Sequence, residues 1–592
     1  MQADLVVLAL GGVQRFIGES RTTADVAGAS EIVQELARYA ATVAHERMAG
    51  QESPFGLVIP APPTDPAGHL RATNKIVVLA PSGAGQALAR ELADAVRARW
   101  AAEVATRYPD GHETPGFPDV SWVRVTGSAA EQDYEQLWDR ANAALVARRR
   151  VRAFEPLLME RQPLCGLAPN LPAGRVPAEV VRLEEQRSQK NERRRGNGRL
   201  EFLSAAGWIK RLAGRQGQSF PSTVSVASTS FRARLITAAS MADADVRAEL
   251  VDTVRRLDTA VVALDALPER RLRIDAPADL RPLTRHGAWV LPERWEPESL
   301  TDADITAGRS TISQGRGAAV ALGRLAERLG VPGPTPYYAV VVQDLDRLGR
   351  ALSGLGLAAQ REVSRELADL AQAQRAAATD MSCPAAPVYA GGDDFLAFCP
   401  AASALELAGA LRRLVDELLG EGPLRDAGQD GGPVTASTAV VFAHMTSPMQ
   451  EAITAAQQAL KLAKDTPGWD TKSRDALAVV VRRRGGERAK LIQPWRARAA
   501  TVDLAKVQPE SGGALSPGLA SRLEADRQSF GELTDGQWPA LEAELRRLVK
   551  RQGGTTEAAD ALYELALRER SGGRFDPVPA ALVARFLTQE CR

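Results

Sequence analysis

Cysteine and histidine are scarce in this chain of 592 residues, which has four of the first and five of the second. No two cysteines form a Cys-x-x-Cys pair, and they are scattered along the chain at Cys165, Cys383, Cys399 and Cys591. This distribution argues against a disulfide framework and against a complete zinc site. We therefore expect a reduced, cytoplasmic protein.

Long apolar runs and an excess of one charge are also missing. No run is long enough to span a membrane, and residues 1–4 carry no basic stretch ahead of an apolar core, so no membrane or secretion segment is predicted. The formal net charge is +1, so contact with nucleic acid would need local basic clusters. A chain of this length is expected to form roughly three to five domains.

Two stretches show the same order of apolar strands and helices. The first has strands at 5–10, 55–59 and 75–79 and a helix at 86–104, an order typical of a ferredoxin-like unit. The second has strands at 337–342, 434–442 and 476–481, a hairpin at 386–400, and helices at 357–377, 405–419 and 449–464. The recurrence predicts a duplicated fold.

The predicted fold class is α+β, with two ferredoxin-like domains and helical middle and C-terminal domains. We place the first domain at 1–150, a mixed helical middle at 151–335, the second at 336–486, and C-terminal helices at 487–592. Gly-Gly-Glu-Arg at 485–488 is interpreted as the linker before the last domain.

The hairpin of the second unit, APVYAGGDDFLAFCP at 386–400, has two adjacent acids at its tip, Asp393 and Asp394. Gly391 and Gly392 already supply the conformational freedom that a tight turn needs. The first strand of the same unit ends in Asp344, and Asp346 follows two residues later, so both side chains would point the same way on an extended segment. In a ferredoxin-like sheet the end of strand one lies beside this tip, so the four acids are expected to meet.

Converging carboxylates repel one another unless they share a cation, and a set of oxygen ligands suits Mg²⁺ or Mn²⁺. Such ions act on nucleoside triphosphates, and the glycines would let a triphosphate approach the backbone. Each motif alone has an ordinary explanation, as a turn former or a solvent-facing pair. Their joint position in one unit favours the metal site.

The first unit lacks these acids. Leu10 and Gly12 stand about where Asp344 and Asp346 would fall, and its hairpin has no acid pair. We interpret the first unit as a partner surface or a degenerate half-site.

The chain resembles the large subunit of type III CRISPR effector complexes, which carries two polymerase/cyclase-like palm domains, and it is most similar to type III-B members. The similarity lies in six ordered segments: GGVQRFIGESRTTADVAGAS, LWDRANAALVARRRVRAFEP, GWIKRLAGRQGQSFPST, PYYAVVVQDLDRLGRALSG, YAGGDDFLAF and TASTAVVFAHMTSPMQEAITAAQQALKLAKD. GGDEF and class III nucleotidyl cyclases are similar more distantly.

The resemblance implies an RNA-guided antiviral subunit that joins ATP into cyclic oligoadenylates when its complex holds target RNA. Its partners would be the other effector subunits, guide RNA, target RNA and ATP. It implies that Asp344, Asp346, Asp393 and Asp394 hold Mg²⁺ or Mn²⁺. It further implies that the nucleotide contacts Gly391, Gly392, Ser437 and Lys464.

The chain departs from the family in three ways, one of which is Thr438-Ala439 after Ser437, where the family usually has a small residue and then Gly. No histidine is followed by Asp, so we expect no HD-type nuclease domain and no DNA cleavage by one. The family's four-cysteine zinc region retains only Cys165, with Gln162 at the position of its usual partner, so zinc is not expected.

Six basic residues against one acid give 186–199 a local charge of +5, which fits RNA phosphates or a solvated loop. Two rival functions stay open at this point. One is a stand-alone diguanylate or nucleotidyl cyclase, although the tip reads Gly-Gly-Asp-Asp-Phe. The other is a non-catalytic scaffold subunit.

Overall fold

The structure is a computed structural model that describes residues 2–63, 70–71, 73–108, 114, 117–151, 163–168, 171–177, 202–216, 220–264, 272, 274–302, 305, 307–428, 431–466, 473–495, 517–528, 538–568 and 575–591. The chain divides into two units. The first comprises Met1–Phe220, Arg347–Ala371 and Leu418–Val434, and the second comprises Pro221–Asp346, Gln372–Glu417 and Thr435–Arg592. The predicted boundaries at 150, 335 and 486 stay predictions.

Four antiparallel strands form the sheet of the first unit, in the order β2-β3-β1-β4. This is the ferredoxin-like order that the sequence predicted. The central strand is the apolar run near the start of the chain, which is buried because strands pair with both of its edges. The strands are β1 Gln2–Gly11, β2 Gly56–Ile59, β3 Lys75–Pro81 and β4 Asp119–Ser128.

The helices described before residue 220 in the first unit are α1 Val13–Gly18, α2 Thr23–Met48, α3 Gly85–Arg107, α4 Glu131–Arg150 and α5 Ala205–Gln216. Helices α2 and α5 pack closely where they meet at two glycines. A Cβ atom on Gly28 would lie 2.7 Å from the Gly214 nitrogen, so only glycine fits there. Beside this crossing, Arg211 donates to both carboxylate oxygens of Asp25, at 2.6 and 3.0 Å. A buried, bidentate pair of this kind fixes the crossing angle.

The middle of the chain is helical, as expected, and has its own apolar core. Trp295 is fully buried in it, and the indole nitrogen donates to the Trp289 carbonyl at 2.9 Å. Its helices are α6 Thr223–Ala227, α7 Thr229–Ser240, α8 Ala244–Val262, α9 Arg281–Arg285, α10 Pro297–Asp302 and α11 Arg309–Arg328.

The second sheet has six strands in the order β10-β9-β8-β5-β7-β6. Its strands are β5 Tyr337–Leu345, β6 Ala386–Ala390, β7 Asp394–Pro400, β8 Ala436–His444, β9 Ala476–Arg483 and β10 Gly486–Pro494. The inner order β8-β5-β7-β6 repeats the first sheet, so the predicted duplication is confirmed in the topology. The helices between these strands are α12 Leu348–Ser353, α13 Leu357–Thr379, α14 Ala404–Leu419 and α15 Met449–Asp465.

Two strands extend the second sheet beyond the ferredoxin-like order. Strand β9 runs parallel to β8 and is reached through α15, because parallel neighbours need a crossover connection. Strand β10 pairs antiparallel with β9, and Gly486, at φ 111°, turns the chain between them. The linker predicted at 485–488 was wrong, because Gly485 lies in the β9-β10 hairpin turn and 486–488 belong to β10.

The C-terminal helices bury their apolar stripe in the core of the second sheet. Leu545, Leu562 and Leu565 are fully buried there together with Val479 of β9 and Leu491 of β10. These helices are α16 Pro517–Ala525, α17 Trp538–Arg551, α18 Thr556–Arg568 and α19 Val578–Glu590. None of the helices in the described ranges has the length and hydropathy that a membrane crossing requires.

A carboxylate in the first strand caps a helix of the first unit. Asp4 is fully buried, and one of its oxygens accepts from the backbone nitrogens of Gly83 and Gly85, each at 3.0 Å, at the start of α3. The other oxygen accepts from the Thr126 hydroxyl at 2.7 Å. Burial raises the pKa of Asp4, but these hydrogen bonds and the charge of Arg124 outweigh it, so the net shift is downward.

We expect Asp4→Asn to lower the free energy of unfolding of the first unit by about 1–3 kcal/mol, because an amide cannot accept on both sides. A folded-state pKa below the unfolded value gives stability that is present above the unfolded pKa and lost as the pH falls through the folded one. The difference between wild type and Asp4→Asn should therefore shrink in acid. Amide exchange of Gly83 and Gly85 would report the loss locally.

Asp94→Asn is the matched control, because Asp94 lies on the exposed face of the same helix and forms an exposed i,i+3 ion pair with Arg97. Equal exchange rates at Gly83 in wild type and Asp4→Asn would contradict the capping role.

Candidate functional site

The tip of the β6-β7 hairpin is a tight turn made by Gly391, Gly392 and Asp393. The Gly391 nitrogen donates to the Asp394 carbonyl at 2.8 Å and closes the turn. Gly392 has φ 89°, a conformation that favours glycine. The two glycines therefore shape the backbone that presents the acids.

Both acids lean over the same glycine. A Cβ atom on Gly391 would lie 2.5 Å from an oxygen of Asp394 and 3.2 Å from an oxygen of Asp393. The space that a side chain would fill at Gly391 is thus the space on which the two carboxylates converge. Glycine is required here because of this close approach.

The end of β5 is hydrogen-bonded to the hairpin tip, as the sequence predicted. Asp344 lies directly opposite Asp394 in the β5-β7 register, and the next residue, Leu345, donates from its nitrogen to the Asp393 carbonyl at 2.8 Å. Directly opposite residues share one face of a sheet. The structure therefore brings Asp344, Asp393 and Asp394 together, and their chemical roles stay predictions.

The acids at the tip are held in an unfavourable electrostatic state. Loss of hydration and the negative charge of Asp393 raise the pKa of Asp394 well above its ordinary value. A bound cation would reverse this shift by favouring the ionised form. The tip therefore has the electrostatics of a cation site.

Lys464 lies on the other side of Asp344. Its ammonium group contacts the Asp344 carboxylate and donates to the Leu345 carbonyl at 3.1 Å. Burial, with the charge of Arg474 acting in the same direction, lowers the pKa of Lys464 to about 8. In this arrangement Lys464 holds the end of β5. Its contact with a nucleotide phosphate stays a prediction.

Asp346 and Ser437 have surroundings that differ from the expectation. Asp346 is buried, and its two oxygens accept hydrogen bonds from the Ser437 hydroxyl at 2.9 Å, the Thr435 hydroxyl at 2.8 Å and the Asp475 nitrogen at 2.9 Å. Ser437 is fully buried. Their predicted contacts, with metal for Asp346 and with nucleotide for Ser437, therefore have competing partners within the protein.

The residues present fit a hard divalent cation of the magnesium type. Within the described ranges no group of three or more acids, histidines or cysteines is arranged to hold a metal. Mg²⁺, however, usually takes only one or two carboxylates and completes its shell with water and substrate phosphates. Asp393 and Asp394, which converge over Gly391, meet that requirement, with Asp344 adjacent.

The first sheet can be aligned with the second through one backbone feature. Gly12, at φ 68°, precedes the short helix α1, and Arg347, at φ 57°, precedes the equally short α12. Counting back from these residues makes Gly11 equivalent to Asp346 and Ala9 equivalent to Asp344. The equivalence with Leu10 and Gly12 proposed from the sequence was therefore wrong by one residue.

Register and hydrogen bonds support this alignment. In the first sheet Ala9 lies opposite Lys75 and Ser121, as Asp344 lies opposite Asp394 and Ser437 in the second. The Leu10 nitrogen donates to the Asn74 carbonyl at 2.8 Å, the counterpart of the bond from Leu345 to Asp393. Alanine, asparagine and lysine thus replace the three aspartates.

The replacement reverses the charge of the first site. The Lys75 ammonium donates to the Asn142 side chain at 2.6 Å and lies 4.3 Å from the centre of the Trp138 ring. Burial, together with the charge of Arg149, lowers its pKa to about 8. An ammonium in place of a carboxylate repels metal ions, and the interpretation of the first domain as degenerate stays a prediction.

Sequence reasoning missed Thr435, Arg474, Asp475 and Arg412 around the second site. The first three stand just before strands β8 and β9, where polar residues are usually solvated turns. Of the other predicted features, the basic cluster at 186–199 and Gln162 lie outside the described residues. Cys165 is buried.

Two protein families match the chain. Cas10/Cmr2, second palm domain, matches residues 337–478, and CRISPR-associated protein Cmr2, N-terminal, matches residues 5–152. No curated protein sequence is similar enough to count as a match.

Two solved structures of one complex, type III-B Cmr-beta, contain a chain with a similar fold. The type III-B Cmr-beta in its apo state matches at 12% identity and a TM-score of 0.60, over 99% of this chain and 81% of that chain. Type III-B Cmr-beta bound to cognate target RNA matches at 13% identity and a TM-score of 0.63, over 99% and 83%. At these identities the likeness concerns the fold alone.

The fold and the families define a protein with two palm domains, one with paired acids at the hairpin tip and one without. Both matched segments coincide with the two ferredoxin-like sheets described above. The chain is therefore similar to Cas10/Cmr2 proteins over residues 5–152 and 337–478, and it shares its fold with the matched chains of the type III-B Cmr-beta complex.

We expect Gly391→Ala to weaken Mn²⁺ binding by about tenfold or more, because the added methyl group would displace both carboxylates. An electron paramagnetic resonance titration of free Mn²⁺ measures the affinity. Gly333→Ala is the control, since a Cβ atom there meets nothing within 4 Å. An unchanged affinity in folded Gly391→Ala would show that the two carboxylates do not act on one ion.

Proposed function

We propose that this protein is the large subunit of a type III RNA-guided effector complex. In this proposal it converts ATP to cyclic oligoadenylates at the second palm when the complex holds target RNA. The observation that carries the proposal is the hairpin tip, where Asp393 and Asp394 converge over Gly391 and Asp344 lies opposite in register. The match to the second palm domain of Cas10/Cmr2 covers this site.

The reaction joins the 3′ oxygen of one ATP to the α-phosphorus of the next and releases pyrophosphate. Bound Mg²⁺ would favour loss of the hydroxyl proton and would neutralise charge on the leaving group. Asp393 and Asp394 are the residues placed to hold it, with Asp344 beside them. Gly391 and Gly392 leave room for the triphosphate at the backbone, and Lys464 keeps the Asp344 carboxylate and the end of β5 in place.

Partners are part of the proposal. A solved relative of similar fold is a type III-B Cmr-beta complex bound to cognate target RNA. We infer that this chain likewise works with other effector subunits, guide RNA and target RNA. The first palm, where Lys75 takes the place of an acid, would not form a second metal-dependent centre.

The test is turnover of labelled ATP with Mg²⁺ by the assembled complex, with and without matching target RNA. We expect target-dependent oligoadenylates from the wild type. The double variant Asp393→Ala/Asp394→Ala should lose at least about 100-fold in rate, since metal-dependent charge stabilisation supplies several kcal/mol. Asp380→Ala, an exposed acid on the same unit, is the control and should keep the wild-type rate.

Synthesis at the wild-type rate by the double variant would refute the site. Turnover of GTP rather than ATP, without any need for target RNA, would identify a stand-alone cyclase. Failure of the double variant to assemble, with no nucleotide product from the intact complex, would identify a scaffold.

A further inference from the structure

Backbone strain in the described ranges is concentrated around one buried carboxylate. Three residues other than glycine have positive φ there: Arg347 at 57°, Arg474 at 75° and Asp475 at 45°. Arg347 directly follows Asp346, and the Asp475 nitrogen donates to Asp346. A residue in this conformation is strained and persists only where its surroundings hold it.

The carboxylate of Asp346 connects three segments of the second sheet. The hydroxyls of Thr435 and Ser437 bring the start of β8 to it, and the Asp475 nitrogen brings the turn before β9. Its own backbone nitrogen donates to the Thr435 carbonyl at 2.7 Å. Asp346 is only 5% exposed, so these bonds form with little competition from water.

The strained turn is also held from its far side. The Asp475 carboxylate accepts from the Arg412 guanidinium of α14 at 3.0 Å, and the Asp475 carbonyl accepts from the Trp495 nitrogen at 2.6 Å. The turn is therefore bonded to Arg412 and Trp495 on this side and to Asp346 on the other.

We propose that Asp346 is a positioning residue for the second-palm site rather than a metal ligand. It fastens the end of β5 to β8 and to the strained 474–475 turn. Because Leu345 and Asp344 precede it directly, this keeps the Leu345 nitrogen on the Asp393 carbonyl and Asp344 opposite Asp394. The inference rests on the proposed function of the hairpin tip as a metal site.

The donor set supports positioning over ligation. Three of the roughly four lone-pair sites of the Asp346 carboxylate already accept hydrogen bonds, and the Arg474 guanidinium lies 3.9 Å from the oxygen that Ser437 contacts, which leaves little room for a metal ion. Residues that orient metal ligands typically change metal affinity or activity by about 10–100-fold when they are replaced. Loss of two neighbouring ligands, as in Asp393→Ala/Asp394→Ala, should abolish Mn²⁺ binding.

The test compares Asp346→Asn with Thr435→Val/Ser437→Ala, which leaves Asp346 in place but removes its two hydroxyl donors. Mn²⁺ affinity of the full chain and kcat of the assembled complex are measured. We expect both variants to lose about 10–100-fold in each, with little change in KM for ATP. The triple variant should be no worse than Asp346→Asn, because the three residues act through one network.

Direct ligation predicts another pattern and would overturn the proposal. Asp346→Asn would then lose Mn²⁺ as completely as Asp393→Ala/Asp394→Ala, while Thr435→Val/Ser437→Ala would bind as the wild type does. Thr454→Val, an exposed threonine on α15, and Asp380→Asn control for the substitutions themselves. Retained Mn²⁺ binding and synthesis in Asp393→Ala/Asp394→Ala would instead refute the metal site, whatever the Asp346 variants do.

A second pair of variants tests the strained turn without touching Asp346. Asn tolerates positive φ and keeps the backbone donor, so Asp475→Asn should retain Mn²⁺ affinity within about threefold. Valine does not tolerate this conformation, so Asp475→Val should lose about 10–100-fold. Equal Mn²⁺ affinity in the two variants, each shown to be folded by circular dichroism, would refute the role of the turn.

Discussion

The second-palm site depends on backbone hydrogen bonds that hold like charges together. The bond from Leu345 to Asp393 fixes the hairpin tip against the end of β5, and the bond from Gly391 to Asp394 closes the turn. Carboxylates at this spacing repel one another, so side-chain chemistry alone would separate them. The sheet keeps them together, and the resulting negative potential is what makes the tip attractive to a cation.

The two palms show that this scaffold is independent of the chemistry it carries. The first sheet keeps the strand order, the positive-φ residue before a short helix, and the bond between the ends of its first and third strands. Yet it places Ala9, Asn74 and Lys75 where the second places Asp344, Asp393 and Asp394. Strand pairing and apolar burial therefore maintain the fold, and the residues at its rim are free to change.

Much of the fold could be predicted from the sequence because it depends on local patterns. The apolar run at the start of β5 and the Gly-Gly turn both lie in short segments, and their order identified a ferredoxin-like unit. Two predictions are wrong because they depend on strand pairing and register, which the apolar pattern alone does not show. Strand β10 pairs with β9 across a glycine turn that had been interpreted as a linker, and the equivalence of the two first strands was displaced by one residue.

The sequence by itself determined the inner ferredoxin-like strand order, the duplicated unit and the candidate acids at the hairpin tip, because periodicity and turn chemistry depend on neighbouring residues. Only the tertiary structure decided which acid has which surroundings. Asp344 and Asp346 look alike in the sequence, but one faces the tip and the other is enclosed by Thr435, Ser437 and Asp475. Those three residues lie about 90 to 130 positions after Asp346 in the sequence, so no local pattern around Asp346 could predict these contacts.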